Sequence, residues 1–284
     1  MSLSILTNIS AMNTQQNLLT SSNAVATSMQ RLSSGLRINT AADDAAGYAI
    51  SEGLTSQVNG LDEASRNTSD AVSMVQTASS SLTNVQSMLQ RIYELGVQYQ
   101  NGSNSSSDQT DIQAEVNQLT QEIDRQRSAS VFNGINLLKG IAGGTGTVTF
   151  QVGANSGDTL SATFSDIEST SGVGGLGFSW ANASGGGTVI DLSSANALTG
   201  LTSAINNIST MAATLGAVQN RLQYTSDSIS STETNLSASD SQIKDVNMAQ
   251  EMTTMTQTQI LEQAGTSMLA QAQSQPSLLL KLLG

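Results

Sequence analysis

An apolar residue returns at every seventh position from Ile208 onward: Ile208, Leu215, Leu222, Ile229, Leu236 and Ile243 keep the spacing without a slip. A strand repeats every second residue and an isolated helix about every 3.6, so a row held at seven calls for a helix that wraps a partner along its length. The companion row, three residues later in the repeat, holds Met211, Val218 and Val246 and is interrupted by Thr225, Thr232 and Ser239. One helix over residues 201 to 249 is therefore predicted, roughly 73 Å long, with a half-apolar seam. The first half of the chain carries a match. Leu61, Thr68, Val75, Leu82 and Leu89 hold the same spacing, joined by Val72, Val85 and Ile92. They predict a helix from 44 to 99 of roughly 84 Å. Asn59-Gly60 falls inside it at a cost of ~1 kcal/mol for the glycine, and the register continues on both sides. Two such helices from opposite ends of one chain have to pair, which sets the fold class as mainly α.

Composition excludes most chemistry. There is no Cys, so disulfides, thiolate metal sites and cysteine nucleophiles are absent, and no His, which removes the commonest general base and metal ligand. Aromatic residues are 3% and charged residues 11%, which suits long thin helical packing better than a thick globular core. Pro276 is the single proline, so almost nothing interrupts helices. A net charge of −12 argues against nucleic acid as a partner. No apolar run is long enough to span a bilayer, so no membrane insertion is expected. The first basic residue is Arg31 and no apolar core follows Met1, so no cleavable signal peptide is expected and export would take another route.

A third helix follows the loop NGSNSSSD, with Asp108 expected as its N-cap and Ile112, Val116, Leu119 and Ile123 on one face. Both ends of the chain are amphipathic. At the front, Ile5, Met12, Leu19 and Ala26 form one row and Leu18, Val25 and Leu32 another. At the back, Ile260, Leu261, Ala264, Met268 and Leu269 form a stripe, and the chain closes with SLLLKLLG. Neither stretch can bury its apolar face alone, and lone helices of this kind are marginal in water. They need each other, another copy, a chaperone or a membrane surface. The middle differs: 14 of the 24 glycines fall between 140 and 200. Asn133-Gly134 signals a hairpin, and residues 147 to 152 and 160 to 164 alternate as strands do. Lys139 and Arg221 bracket a stretch without basic residues that contains Asp158, Asp166, Glu168 and Asp191.

Many short motifs in a fixed order now carry a resemblance. The opening Asn8-Ile9-Ser10-Ala11-Met12-Asn13, QRLSSGLRIN at 30 to 39 and DDAAG at 43 to 47 are followed by ASRN (64 to 67), LQRIYELGVQ (89 to 98), IQAEV (112 to 116), EIDR (122 to 125) and FNGINLL (132 to 138). QILEQAGTSMLAQA at 259 to 272 completes the set. The chain resembles the bacterial flagellins over about residues 1 to 140 and 200 to 284. The resemblance implies paired terminal helices as an inner coiled-coil layer, long antiparallel helices as an outer layer with a small β-hairpin region, and a surface excursion from the middle. It sets the domains at 1–42 with 250–284 (inner), 43–165 with 191–249 (outer) and 166–190 (a Gly/Ser-rich excursion). QRLSSGLRINTAADDAAG then joins the layers, with Gly35 giving the turn its freedom.

The resemblance implies a self-assembling filament subunit in the bacterial flagellum: a homopolymer, secreted unfolded by the flagellar type III export apparatus. A C-terminal export chaperone, filament cap and junction proteins are its implied partners. Assembly residues are expected among Ile5, Met12, Leu19, Leu32, Ile260, Leu261, Ala264, Met268 and Leu269. The coiled-coil seam is expected at Leu61, Val75, Leu82, Leu89, Ile208, Leu215, Leu222, Ile229, Leu236 and Ile243. Gln90, Arg91, Leu95 and Glu115 match positions where similar flagellins meet the vertebrate flagellin-sensing Toll-like receptor, although Tyr93 departs from the Arg frequent there. Asp43 and Gly47 match the epitope that plant receptor kinases detect, while Ala42 and Tyr48 depart from it. Asp43-Asp44 is no catalytic pair, since adjacent helical residues diverge by about 100° and suit N-terminal capping. No enzyme, cofactor or metal is expected, and no HExxH occurs. A hook–filament junction protein and a secreted coiled-coil adhesin are the alternatives.

Overall fold

The computed structural model describes residues 8–140, 146–167, 190–194 and 196–283, with side chains described to Ser274. Its elements in order are α1 (Ile9–Ser34), α2 (Ala45–Tyr99), α3 (Ser106–Ala129), β1 (Val131–Phe132), β2 (Ile135–Asn136), β3 (Thr147–Gln151), β4 (Thr159–Thr163), α4 (Ala197–Lys244) and α5 (Met248–Leu283). They form two compact units, one of residues 1–57 with 234–284 and one of 58–233. The expected excursion at 166–190 falls almost wholly outside the described residues.

Within residues 58–233 the core is the seven-residue pattern made physical. Leu61, Thr68, Val75, Leu82 and Leu89 of α2 are buried, as are Leu201, Ile208, Leu215, Leu222 and Ile229 of α4. α2 and α4 run antiparallel: Gln86 Nε2 donates to Ser209 Oγ at 3.3 Å, and a Cβ on Gly96 would lie 2.9 Å from Leu198 Cδ2. The second row of α2 is not the expected Val72, which is only partly buried, but Ala64, Ala71 and Ala78, followed by Val85 and Ile92. Small side chains on that row let neighbouring elements come close. Gly60 has the same use. It interrupts nothing, and the turn residue Ala154 sits where a Cβ would be 3.0 Å from its own.

α3 packs Ile112, Val116 and Ile123 into this core. Its N-cap is Ser105 and not the expected Asp108, which stands at the third helical position. The two form a capping box: Ser105 Oγ accepts from the Asp108 N–H, and Asp108 Oδ2 accepts from the Ser105 N–H at 2.8 Å. Asn133 (φ 46°) and Gly134 (φ 80°) turn β1 into β2 with both residues left-handed, the geometry a two-residue hairpin demands. β3 and β4 pair antiparallel in register Thr147 to Thr163, and Leu160, Ala162 and Phe164 face inward. Arg127 locks this element to α3 with Nε and Nη2 each 3.0 Å from the Asp166 carboxylate. Gln113 holds the incoming chain by donating to Ile190 O at 2.7 Å and accepting from Leu192 N at 3.1 Å.

Candidate assembly interface

In the unit of residues 1–57 and 234–284, α1 and α5 pack along each other. Asn8 Nδ2 donates to Ala272 O at 2.8 Å, Leu18 lies opposite Gly265, and Arg31 stands 4.0 Å from Glu251, so the pair is antiparallel. Gly265 lets Leu18 come close, because a Cβ there would lie 3.1 Å from Leu18 Cδ1. The seam takes Leu18, Val25 and Leu32 from α1 and Met255, Gly265, Leu269 and Ala272 from α5, all half-buried.

The other apolar row of α1 turns away. Consecutive helical residues diverge by about 100°, so Leu19 points off the seam that Leu18 enters, and it is 57% exposed. Met12 and Ala26 share that side. On α5, Ile260 (60% exposed), Leu261, Ala264 and Met268 are open too. An open apolar depression of about 500 Å³ lies along α5, lined by Met252, Thr253, Thr256, Gln257, Ile260 and Leu261. Of the expected assembly residues, Leu32 and Leu269 thus serve the intrachain seam, and six are exposed. Ile5 lies outside the described residues, as do the side chains of SLLLKLLG. Ile9, Met29, Met248 and Met252 are also exposed and were not anticipated, because they fall off the seven-residue rows.

Both chain reversals meet at one joint. Gly35 caps α1 in the left-handed conformation at φ 74°, with its N–H bonded to Arg31 O. Arg37 N donates to Lys244 O at 2.7 Å and Val246 N to Gly35 O at 3.0 Å, which zips 35–38 to 244–246. The helix expected over 201 to 249 is therefore broken. Val246 sits in the joint instead of on a seam, and Asn247 starts α5 by accepting from Gln250 N at 3.2 Å. Leu236 and Ile243, the last two residues of the α4 row, are half-buried on the same side of the break. Asp43 and Asp44 are local caps. Asp43 Oδ2 accepts from Thr40 N and Thr40 Oγ1, and these bonds with that from Asn39 N hold its carboxyl below the usual range. Asp44 Oδ1 accepts from Ala46 N and Gly47 N at 3.1 and 3.0 Å. Gly47 is buried; a Cβ there would lie 2.5 Å from Asp44 Oδ2 and 2.7 Å from Ile38 Cδ1.

Gln90, Arg91 and Glu115 lie exposed on α2 and α3, where Arg91 donates to Glu115 Oε1 at 2.9 Å and to Glu94 at 3.3 Å. Those partners raise the Arg91 pKa further. Leu95 is different: at 2% exposure it belongs to the core beneath that surface, so its side chain offers a receptor nothing to touch. Among the described residues no cluster of carboxylates is placed to hold a metal ion, and no helix is long and apolar enough to cross a membrane.

Two family models match. The one described as the bacterial flagellin N-terminal helical region covers residues 5–143, and the C-terminal helical region covers 198–283. A flagellin of Halalkalibacterium halodurans is 40% identical over 277 residues, with 97% of this chain and 98% of that protein covered. A flagellin of Bacillus subtilis is 39% identical over 306 residues with the same coverage. The flagellar filament 33 kDa core protein of Treponema phagedenis is 43% identical over 284 residues, again covering 97% of this chain and 98% of its own length. With both terminal regions matched and full-length relatives at this identity, the chain belongs to the bacterial flagellin family.

Proposed function

We infer that this chain is a structural subunit of the extracellular bacterial flagellar filament, and that the outward apolar face of α1 and α5 drives its polymerisation. One observation carries the second part: α1 has two apolar rows, α5 covers the one with Leu18, and the row with Met12 and Leu19 stays exposed, as do Ile260 and Met268 of α5. Such a face is satisfied by further copies of the chain at a growing end. Each Leu, Ile or Met fully buried contributes roughly 1.5–3 kcal/mol, offset by the ordering entropy of the terminal helices.

Family membership supports the remaining readings, which we propose with it. Residues 1–42 with 250–284 form the inner layer, and 43–165 with 191–249 the outer one. The chain leaves the cell unfolded through the flagellar export apparatus, a chaperone covers the C-terminal stripe, and cap and junction proteins bound the filament. It performs no catalysis. Gln90, Arg91 and Glu115 make contacts between protofilaments and present the surface a host receptor would read, with Leu95 supporting it from below. Asp43 and Gly47 shape the joint that a plant receptor would detect.

Electron microscopy of purified chain added to short filament seeds tests this, with a chain lacking residues 1–32 and 260–284 as comparison. Long filaments from the full chain alone are expected. Short caps that stop growing would indicate a junction protein, and no growth on seeds of its own kind would indicate an adhesin.

A further inference from the structure

We propose that the methionines of α1 and α5 make assembly sensitive to peroxide: Met12, Met29, Met248, Met252 and Met268 present exposed thioethers on the helix pair, and the sulfoxide form does not join a filament end. The proposal rests on the assembly reading above. All five side chains are 48–61% exposed, and they are all the exposed methionines among the described residues. The methionines of the other unit are inside, with Met74 at 3%, Met211 at 8% and Met88 partly buried in the core. That unit exposes other large apolar groups, Val97 and Tyr224 among them, but no methionine. The antiparallel register set by Asn8 with Ala272 and Arg31 with Glu251 places Met12 level with Met268 and Met29 level with Met252. The thioethers therefore gather at two heights along one helix pair. Because the chain has neither Cys nor His, no thiol competes for oxidant.

The chemistry is a two-electron oxygen transfer. A sulfur lone pair attacks one oxygen of hydrogen peroxide, the O–O bond breaks as an S–O bond forms, and the departing hydroxide takes the proton from the transferred oxygen and leaves as water. Sulfur is oxidised and the peroxide oxygen reduced, with no change in charge. An unbranched apolar side chain becomes a polar, chiral one whose oxygen accepts hydrogen bonds. On the free chain water satisfies that oxygen, so the helix pair stands. In an apolar interface the oxygen loses its water with no donor to replace it, and burial becomes unfavourable. Oxidation thus acts on subunits before addition, and filaments already formed are shielded because neighbouring copies cover the sulfurs. Leucine at the same positions would offer a similar apolar volume with no such sensitivity.

The test compares full-length chain with a Met12→Leu, Met29→Leu, Met248→Leu, Met252→Leu, Met268→Leu variant, each incubated with hydrogen peroxide, quenched and added to untreated seeds. Oxidised wild type is expected to elongate about tenfold more slowly or worse, while the variant keeps its untreated rate. Elongation by oxidised wild type at its untreated rate overturns the proposal, and so does equal loss in wild type and variant. Should the variant fail to elongate untreated, peptide mass spectrometry of peroxide-treated wild type decides. Sulfoxide at these five positions in free chain and its absence in intact filaments supports the proposal, and equal oxidation of both overturns it. Growth by the chain lacking residues 1–32 and 260–284 would instead sink the assembly reading itself. If that truncation blocks growth while oxidised wild type elongates, the redox sensitivity alone falls.

Discussion

Leu18 and Leu19 are neighbours in α1 that do different jobs. Leu18 fills the seam opposite Gly265, whereas Leu19 is 57% exposed and Ile260 on α5 is 60% exposed. Replacing Leu19 and Ile260 together with Ser should leave the isolated chain folded and cripple its polymerisation. Full burial of a Leu or Ile contributes roughly 1.5–3 kcal/mol. Somewhat more than half of each side chain is still exposed, so completing the burial in a filament contributes about 1–1.7 kcal/mol per residue and roughly 2–3.5 kcal/mol for the two. At about 1.4 kcal/mol per decade this raises the critical concentration for elongation roughly 30- to 300-fold. Sedimentation of seeded reactions over a concentration series gives that value, and far-ultraviolet circular dichroism of the monomer reports whether α1 and α5 remain helical. A rise under about threefold would refute the estimate. Loss of monomer helicity would refute the assignment of these residues to intermolecular contact. Leu18→Ser is the opposite control: it should loosen the helix pair in the monomer first.

Other perturbations separate fold from surface. Gly146 sits at φ 69° with Phe164 N bonded to its carbonyl, and a Cβ would lie 2.3 Å from Phe164 O; Gly146→Ala should cost about 2 kcal/mol, read by calorimetry as a fall of roughly 4–8 °C in Tm. Leu95→Ala should destabilise by about 2–5 kcal/mol through its cavity, whereas Arg91→Ala breaks the link to Glu115 without moving Tm, so chemical denaturation distinguishes a core residue from a surface one. Bonds from the Ser105 hydroxyl and N–H hold the Asp108 carboxyl below its ordinary 3.8. A depressed folded pKa means that stability is present above the unfolded value and lost as pH falls through the folded one. Asp108→Asn should therefore flatten the acid limb of urea stability measured downward from about pH 5. Gly47→Ala, with its Cβ against Asp44 Oδ2 and Ile38 Cδ1, should speed hydrogen exchange of the Arg37 and Val246 amides that zip the joint.

Periodicity made the long helices legible, since a row held every seventh residue from Leu61 to Leu89 has no other good reading. It missed the alanines at 64, 71 and 78, because a methyl group adds little to a hydrophobic pattern even when the row is fully buried. It ran α4 through to Val246 for the opposite reason. Val246 keeps the spacing, Asp245 and Asn247 are weak breakers, and the bonds that stop the helix come from residues more than two hundred positions away. Ser105 and Asp108 are both good capping residues, and only backbone geometry says which of them is the cap and which completes the box. Leu95 entered with Gln90, Arg91 and Glu115 through the resemblance, which says nothing of burial, because burial depends on what lies across from a residue.

A repeating row records that a face has to be buried and leaves open what buries it. α3 has one such face, Ile112, Val116 and Ile123, and its own chain covers it. α1 has two rows about 100° apart and packs along α5 with the row of Leu18, Val25 and Leu32. The Met12 and Leu19 row cannot be served by turning α1, because turning it would expose Leu18 in exchange. On the assembly reading proposed above, the row left over after intrachain packing is the part of α1 that other copies would cover.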